Sequence, residues 1–180
     1  MKYRVGKWFP VESMSFPRCG HKLTTDLLQT YFGPEFIYAG RAVRNSDLLP
    51  GVHFTKFHDF DLDAEIRNDR AYIVQVRDPF DAIYSWHKMT VDLDGIPDDV
   101  PTLREIMKQK QDYWAGFVKK WVASEIPNRV VLRYEDILDN PEAALAKIIP
   151  LFGEVPNPVL VSKAVREVCV HIPPRKKFYL

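Results

Sequence analysis

The 180-residue chain has very few cysteines, and Cys19 and Cys169 are the two that it contains. Two thiols cannot build a disulfide framework, and they are too few for a structural zinc site. Sparse cysteine usage of this kind is typical of proteins kept in a reducing compartment. The sequence therefore predicts a cytoplasmic protein that is not held together by disulfides.

Long apolar runs and a dominant charge sign are absent as well. No stretch approaches the about 20 apolar residues that span a bilayer, and the basic segment before Pro10 lacks the apolar core of a signal peptide. Lys and Arg number 25 against 24 Asp and Glu, a net charge of +1. We therefore expect no membrane span and no nucleic-acid partner, and an anion site requires a local cluster of cations.

An ordinary globular composition remains once these classes are excluded. Hydrophobic residues make up 46% of the chain and charged residues 27%, which is the balance of folded domains. A chain of this length is expected to form one domain, residues 1–180, whose core needs neither a disulfide nor a metal.

Short apolar runs alternate with helical patterns along the chain. Strands are predicted at Val11–Phe16, Val52–Phe57, Ala71–Val76 and Arg129–Arg133. Helices are predicted at Gly20–Tyr31, Pro79–Lys88 (capped by Asp78), from a Thr102–Glu105 capping box to Val122, from Pro141 to about Phe152, and after Pro158, with a loop at Asp92–Pro101. This alternation favours a single-domain α/β fold with a central parallel β-sheet flanked by helices. Ligands of such sheets bind beyond the carboxyl ends of the strands.

The segment Pro17–Leu23 joins the first predicted strand to the first predicted helix. Gly20 permits a tight turn, and the free N–H groups at a helix start bind anions with help from the helix dipole. Arg18 and Lys22 add two cations, although a glycine turn with two solvated basic residues is an equally good interpretation of the segment alone. An ATP- or GTP-binding loop is disfavoured, because Leu23 follows Lys22 where that loop needs Ser or Thr, and its first glycine is missing.

Two further segments place chemistry-bearing side chains just after predicted strands. Arg77 is followed by a Pro-started helix that carries Ser85 eight residues later, so a guanidinium and a hydroxyl could hold one phosphate. Pairing of Arg77 with Asp78 or Asp81 is the simpler alternative. Tyr134 follows the last predicted strand, where an aromatic side chain more often packs at the edge of the core.

Lys56 and His58 end the second predicted strand two residues apart, so both are expected on the same side of the sheet. Histidine titrates in the range suited to a general base, and lysine stabilises an anion that develops on a leaving oxygen. Taken alone, His58 is more simply a polar residue at a strand end.

These segments, in this order, resemble the motifs of sulfotransferases that use 3′-phosphoadenosine-5′-phosphosulfate (PAPS). Pro17–Leu23 is similar to the family's P-loop-like phosphosulfate-binding loop, P-[KR]-S-G-T-T-W, and Lys56-Phe57-His58 is similar to its K-x-H triplet. The segment that begins at Arg77 matches R-[ND]-P-x-D-x-x-x-S, the family's 3′-phosphate motif. The segment that begins at Tyr134 is similar to Y-E-D-L-x-x-D-P.

The resemblance implies a PAPS-dependent sulfotransferase that moves a sulfuryl group to a hydroxyl or amine of a small-molecule or glycan acceptor, without a metal. It assigns His58 as the base, with Lys56 and Arg18 as the cations at the leaving oxygen. The residues that it assigns to the nucleotide are Arg18, Cys19, Gly20, His21, Lys22, Leu23, Arg77, Ser85 and Tyr134. Arg175 and Lys176 are either the remnant of a late R-K-G loop of the family or a solvated basic tail.

The loop departs from the family pattern at its centre. Cys19 replaces a serine and is a weaker donor, and Leu23 stands where many members have a tryptophan that stacks on adenine. His21 and Lys22 replace two hydroxyl residues with side chains able to carry a positive charge. A non-catalytic nucleotide- or partner-binding module is therefore the alternative function, against which the K-x-H triplet argues.

Overall fold

The computed structural model describes residues 7–40 and 51–170, and its centre is one parallel β-sheet. The described residues contribute five strands in the order β2-β3-β1-β4-β5, and every neighbouring pair is parallel. Their bounds are Val11–Ser15 (β1), Tyr38–Ala39 (β2), Phe54–Phe57 (β3), Ala71–Val76 (β4) and Arg129–Arg133 (β5). The predicted α/β fold with a central parallel sheet is confirmed.

Helices connect the strands and cover both faces of the sheet. Their bounds are His21–Phe32 (α1), Pro79–Asp94 (α2), Val100–Phe117 (α3), Tyr134–Asp139 (α4), Pro141–Ile148 (α5) and Pro158–Cys169 (α6). Helix α3 continues into a π-helical turn at Val118–Ala123, and α5 continues into a 3₁₀ turn at Ile149–Phe152. None of the described helices combines the length and the apolar character needed to cross a membrane.

Apolar side chains leave the sheet on both faces, as buried parallel strands require. On β4, Ile73 belongs to a cluster with side chains of α1, α5 and α6, whereas Tyr72 and Val74 belong to a cluster with side chains of α2 and α3. Trp121 of the π-helical turn is fully buried in the second cluster. Packing in these two clusters fixes the positions of the strand ends that carry the site.

Helix α2 runs six residues beyond the predicted end at Lys88. Asp78 caps its start as predicted, because its side chain accepts a hydrogen bond from the N–H of Asp81. The helix ends only where Gly95 takes a left-handed conformation with φ 67°, which glycine adopts without steric cost. The predicted loop at Asp92–Pro101 is therefore wrong over its first residues, which are helical.

Helix α3 is capped by Asp99 instead of the predicted Thr102–Glu105 box. The Asp99 side chain accepts from the N–H of Thr102 at 2.8 Å, so Thr102 lies inside the first turn. Aspartate outranks threonine as an N-cap residue, which explains why the helix begins earlier. The patterns also missed β2 and α4, because elements of two and six residues are too short to show a period.

The register of β1 decides which side chains meet at the carboxyl edge of the sheet. Ser13 lies opposite Lys56 of β3, and Ser15 lies opposite Gln75 of β4. Because all the strands run in the same direction, the segments that follow β1, β3, β4 and β5 leave the sheet at one edge. The predicted site segments are gathered there.

Candidate active site

The loop between β1 and α1 turns at two residues with left-handed backbone, Arg18 at φ 68° and Gly20 at φ 82°. A Cβ atom on residue 20 would lie 2.4 Å from Cδ2 of Tyr134, far inside van der Waals contact. Glycine is thus required at this position for its backbone conformation and for the close approach to the ring. Helix α1 begins at the next residue, so its unpaired N–H groups stand beside the loop.

The side chain of His21 is buried beneath the loop. Its Nδ1 lies 3.0 Å from Oγ of Ser13, and its Nε2 lies 3.0 Å from Oη of Tyr38 and 3.1 Å from Oγ1 of Thr25. Burial, the largest cause, lowers the pKa of His21 to about 3. The expectation of a charged donor at position 21 is therefore corrected: the imidazole is neutral at physiological pH, and both ring nitrogens have hydroxyl partners inside the protein.

Gln75 is a buried polar residue that holds the loop from below, and the sequence patterns did not single it out. Its Nε2 donates to Oγ1 of Thr24 at 2.8 Å and to the backbone oxygen of Cys19 at 3.4 Å. Its Oε1 accepts from the hydroxyl of Ser13 at 3.3 Å. The available signal was one amide inside the apolar run AYIVQV, since a buried amide requires partners.

Three loop residues of the predicted site use their side chains within the protein. The thiol of Cys19 is buried in an apolar cluster 3.8 Å from the carbonyl oxygen of Pro17, and burial raises its pKa. Lys22 is exposed and pairs with Asp26 at 2.8 Å, and Leu23 packs against the core.

Arg18 and Ser85 join the two segments that were predicted to bind phosphates. The Nε of Arg18 donates to Oγ of Ser85 at 3.0 Å, although the two residues are 67 positions apart. The Nη1 of Arg18 lies 3.6 Å from Sδ of Met89, one turn further along α2. A guanidinium and a hydroxyl thus meet above the loop.

Arg77 follows β4 directly and brings a second guanidinium to the same place. Its Nη1 donates to the backbone oxygen of Arg18 at 3.3 Å, and its Nη2 lies 3.8 Å from the Asp81 carboxylate. Its Cζ lies 4.5 Å from the ring centroid of Tyr134. The Nε of Arg77 is buried and has no hydrogen-bond partner among the described residues. A bound anion is the kind of partner that such a donor requires.

The short helix α4 fixes the turn that carries Arg77. Glu135 is buried, and its Oε1 accepts from the N–H of Asp78 at 3.1 Å. Its neighbour Tyr134 contacts both the loop at Gly20 and the guanidinium of Arg77. Helix α4 therefore ties the segment after β5 to the segments after β1 and β4.

His58 comes directly after β3, and its imidazole is fixed by β1. Its Nδ1 donates to the backbone oxygen of Ser15 at 2.6 Å and lies 3.3 Å from the Ser15 hydroxyl. A carbonyl oxygen only accepts, so Nδ1 carries the hydrogen and Nε2 keeps its lone pair. Burial lowers the pKa of His58 to about 4, against the effect of the Ser15 hydrogen bond. The neutral ring is in the protonation state of a general base.

Lys56 lies on the same strand two residues before His58, and its side chain is half-buried. Burial, followed by the positive charge of Arg18, lowers the pKa of Lys56. No carboxylate pairs with Lys56 within residues 7–40 and 51–170. An anion would stabilise these two mutually repelling cations, neither of which is paired with a carboxylate in the described part of the chain.

Two predicted elements of the site have no description in the structure. Arg175 and Lys176 lie outside the described residues, so their role stays a prediction.

In the part of the chain that the structure describes, no three His, Cys, Asp or Glu side chains are grouped so that they could hold a metal ion.

No protein-family model and no curated protein sequence matches the chain. Solved structures do match: the chain is similar to retinol dehydratase, determined in complex with androsterone and the inactive cofactor PAP, with a TM-score of 0.64 and 15% identity over 88% of this chain. It is also similar to the sulfotransferase domain from the curacin biosynthetic pathway, with a TM-score of 0.54 and 14% identity over 86% of this chain and 77% of that one. The chain has a sulfotransferase fold.

The sulfotransferase fold predicted from the motifs is thereby confirmed. The chain spans 64% of the length of the retinol dehydratase that it matches. At 14% and 15% identity the likeness is one of fold, and the activity has to be argued from the site itself. That site consists of the loop after β1, the residues at the end of β3, and the segments after β4 and β5.

Proposed function

We propose that the protein is a cytoplasmic, PAPS-dependent sulfotransferase that transfers a sulfuryl group to a hydroxyl or amine of a small-molecule or glycan acceptor. The observation that carries the proposal is the meeting of Arg18, Ser85 and Arg77 at the sheet edge that also bears Lys56 and His58. The similar retinol dehydratase structure contains PAP and androsterone, which supports a nucleotide and an acceptor on this fold.

The residues present fit a nucleotide with phosphate groups at two positions. Arg77 and Ser85 would hold the 3′-phosphate, and the buried, unpaired Nε of Arg77 is the donor that supports this assignment. The N–H groups from Arg18 to Leu23 would hold the 5′-phosphosulfate at the start of α1. Tyr134 would support both groups through its contacts with the loop and with Arg77.

Arg175 and Lys176, near the end of the sequence, lie outside the described residues. We propose that Arg175 and Lys176 complete the nucleotide site, because two adjacent cations are suited to bind a polyanion.

When bound, PAPS would supply the sulfuryl group. The bond between its sulfur and the 5′-phosphate oxygen would break while that sulfur forms a bond to the acceptor oxygen or nitrogen. The released product would be 3′-phosphoadenosine 5′-phosphate. The Nε2 of His58 takes the acceptor proton, while the Nδ1 hydrogen bond to Ser15 holds the ring in the required tautomer. Lys56 and Arg18 stabilise the negative charge left on the phosphate oxygen. Since these side chains supply the positive charge, we propose transfer without a metal ion.

An aromatic surface adjoins the proposed base. The ring of Phe60 lies 5.3 Å from that of His58 and is 53% exposed. The rings of Trp86 and Tyr113 lie 6.1 Å and 5.8 Å from Phe60. An exposed aromatic side chain at this place gives the apolar part of an acceptor a surface on which to pack.

The test is incubation of the purified protein with PAPS and pools of small-molecule and glycan acceptors, followed by mass spectrometry. We expect an acceptor to gain the mass of one sulfuryl group, with one 3′-phosphoadenosine 5′-phosphate released per transfer, in the presence of EDTA. His58→Ala should abolish most of this gain, while Arg166→Ala, an exposed change on α6, should leave it unchanged. Transfer that stops with EDTA and returns with magnesium would contradict the metal-independent reaction.

A non-catalytic binding module is the second candidate, favoured by the inward-facing side chains of Cys19 and His21. This candidate predicts that calorimetry detects 3′-phosphoadenosine 5′-phosphate binding while no acceptor pool gains mass. It also predicts that His58→Ala behaves like the unchanged protein in both measurements. The two functions are therefore separated by the same pair of experiments.

A further inference from the structure

Asp59, the residue after His58, is a fully buried carboxylate with no part in the proposed nucleotide site. Its Oδ1 accepts from the N–H of Ala64 at 2.9 Å. Its Oδ2 accepts from Nζ of Lys120 at 2.8 Å and from Nε1 of Trp121 at 2.7 Å. Both carboxylate oxygens are thus hydrogen-bonded, by three donors of which one is a cation, as a buried carboxylate requires.

Lys120 is satisfied to the same degree. Besides Asp59, its Nζ donates to the backbone oxygens of Leu62 at 3.0 Å and Ala64 at 2.6 Å. All three ammonium protons thus have acceptors, and all of these acceptors belong to residues 59–64. Lys120 therefore stabilises the segment 59–64 that follows His58, through one ion pair and two hydrogen bonds to backbone oxygens.

The π-helical turn Val118–Ala123 explains how two consecutive residues reach one carboxylate. A wider turn reduces the angle between neighbouring side chains, so Lys120 and Trp121 both face Asp59. Turns of this kind are rare and occur often at functional sites. Trp121 is fully buried and anchors the turn in the apolar core, so Asp59 is bound to a rigid part of the fold.

The backbone at the same place is in an uncommon conformation. Asp59 has φ 48° and Leu62 has φ 55°, which lie in the left-handed region that is unfavourable for a residue with a side chain. Such backbone persists only when surrounding contacts enforce it. The contacts here are those of Lys120 and Trp121, together with the hydrogen bond from Oη of Tyr113 to the backbone oxygen of His58.

We propose that the buried Asp59–Lys120 pair is a positioning device for His58. It holds the chain immediately after the base, so that the imidazole keeps its Nδ1 hydrogen bond to Ser15 and its Nε2 faces the acceptor side. Asp59 and Lys120 are positioning residues, since they touch the backbone that carries His58 and not the reacting atoms. The catalytic consequence rests on the proposed function, whereas the geometric part does not.

The test compares His58 in Asp59→Asn, Lys120→Met and the unchanged protein. We expect kcat to fall about 10²-fold in each variant, with little change in KM for PAPS, because small misplacement of a catalytic group has effects of this size. NMR titration of the His58 ring supplies a readout that needs no sulfuryl donor. Loosening of the segment should expose the ring and move its titration from about pH 4 toward its ordinary value near 6.5.

The other groups that bear on this titration are present in all variants. Lys56 on β3 and the Ser15 carbonyl on β1 both affect the pKa of His58, and neither is altered. Neutral His21 on α1 is unaltered as well. The variants themselves remove a neighbouring charge, and they do so in opposite senses: loss of the Asp59 carboxylate alone would lower the pKa of His58, and loss of the Lys120 ammonium alone would raise it. A rise in the titration of His58 in both variants therefore reports exposure and hydrogen bonding of the ring.

Arg70→Met is the matched control. Arg70 pairs with Glu12 at 3.6 Å, both side chains are largely buried, and the pair lies near the opposite edge of the sheet from His58. Loss of this pair should lower stability while kcat and the His58 titration stay as they were. Trp121→Phe removes one donor to Asp59 and keeps most of the packing, so it should give a smaller effect of the same kind.

The proposal is overturned if folded Asp59→Asn and Lys120→Met keep the wild-type titration of His58, whatever their activity. The proposal is also overturned if Asp59→Asn, Lys120→Met and Trp121→Phe all unfold while Arg70→Met stays folded. That result would mean that the pair serves the stability of the whole fold. A shifted titration in a protein that transfers no sulfuryl group would support the positioning role and contradict the proposed function instead.

Discussion

Arg18 and Ser85 are joined by a 3.0 Å hydrogen bond from Nε to Oγ across 67 residues of sequence. This bond connects the loop after β1 with the second turn of α2, the two segments that the family resemblance assigns to different phosphates of one nucleotide. Arg77 reinforces the connection by donating to the Arg18 carbonyl oxygen. The two halves of the proposed nucleotide site are thus already joined in the protein. Preorganisation of this kind lowers the conformational-entropy cost of binding.

A nucleotide that carries a 3′-phosphate should bind more tightly than one that lacks it. A hydrogen bond to a charged group contributes about 1.5–3 kcal/mol, which corresponds to one to two decades in affinity. Calorimetry should therefore show 3′-phosphoadenosine 5′-phosphate binding at least about tenfold more tightly than AMP. Arg77→Ala should remove this preference, whereas Arg166→Ala should keep it. Equal affinities for the two nucleotides would rule out the assignment of Arg77 and Ser85.

The rate of sulfuryl transfer should depend on the protonation of His58 at an unusually low pH. Burial lowers the pKa of His58 to about 4, so the neutral base is already formed well below neutrality. We expect kcat to be constant from about pH 5 to pH 8 and to fall only toward pH 4. His58→Ala should reduce single-turnover transfer by about 10²–10⁴-fold with little change in nucleotide affinity. A limb near pH 6.5 would show that the ring is more exposed than the structure indicates.

Gly20→Ala should disturb the site more than an ordinary left-handed glycine replacement does. The added methyl group would lie 2.4 Å from Tyr134 Cδ2, in addition to the strain of φ 82°. Gly95→Ala is the matched control, since Gly95 has φ 67° with nothing within 4 Å of the added atom. The control should lose about 1–2 kcal/mol of stability, and Gly20→Ala should lose more and bind nucleotide more weakly.

A second substitution separates the two causes. In a Gly20→Ala, Tyr134→Ala double variant the clash is removed and the backbone strain stays. The double variant should therefore be more stable than the sum of the two single changes implies, as measured by chemical denaturation. Strict additivity would mean that Tyr134 moves aside without cost.

His21 should make the protein less stable in mild acid. Its pKa is lowered to about 3 in the folded protein, while the unfolded chain titrates near 6.5. The unfolded state therefore binds the proton first, and stability is fully present above about pH 6.5 and decreases as the pH falls toward 3. Between pH 7.5 and pH 5 the contribution lost is about 2 kcal/mol.

The matched variant for this prediction is His21→Gln, which keeps a hydrogen-bonding side chain without a titrating group. Chemical denaturation at pH 7.5 and pH 5 should show that the variant loses about 2 kcal/mol less than the wild type over this interval. Parallel losses in the two proteins would assign the acid sensitivity to other residues.

The parallel α/β class, and the places where chemistry-bearing residues follow strands, could be predicted from the sequence alone. β4 and β5 lie where the apolar runs predicted them. β4 is buried over almost its whole length, and buried parallel strands need nearly continuous apolar side chains. The helix starts at Asp78 and Asn140 were also readable, because an N-cap side chain acts within three residues of its own position. Such interactions are local, so the local sequence contains them.

Which of these side chains lie next to each other could not be predicted, because it depends on the tertiary structure. The sequence showed at His21 a side chain able to carry a positive charge. Burial under the loop keeps it neutral, and it contacts the hydroxyl groups of Ser13, Tyr38 and Thr25. Asp59 and Lys120 gave no local signal, because they are 61 residues apart and meet through a π-helical turn. Burial and pairing across the sheet depend on the whole fold, and these set the charge and orientation of the groups at the site.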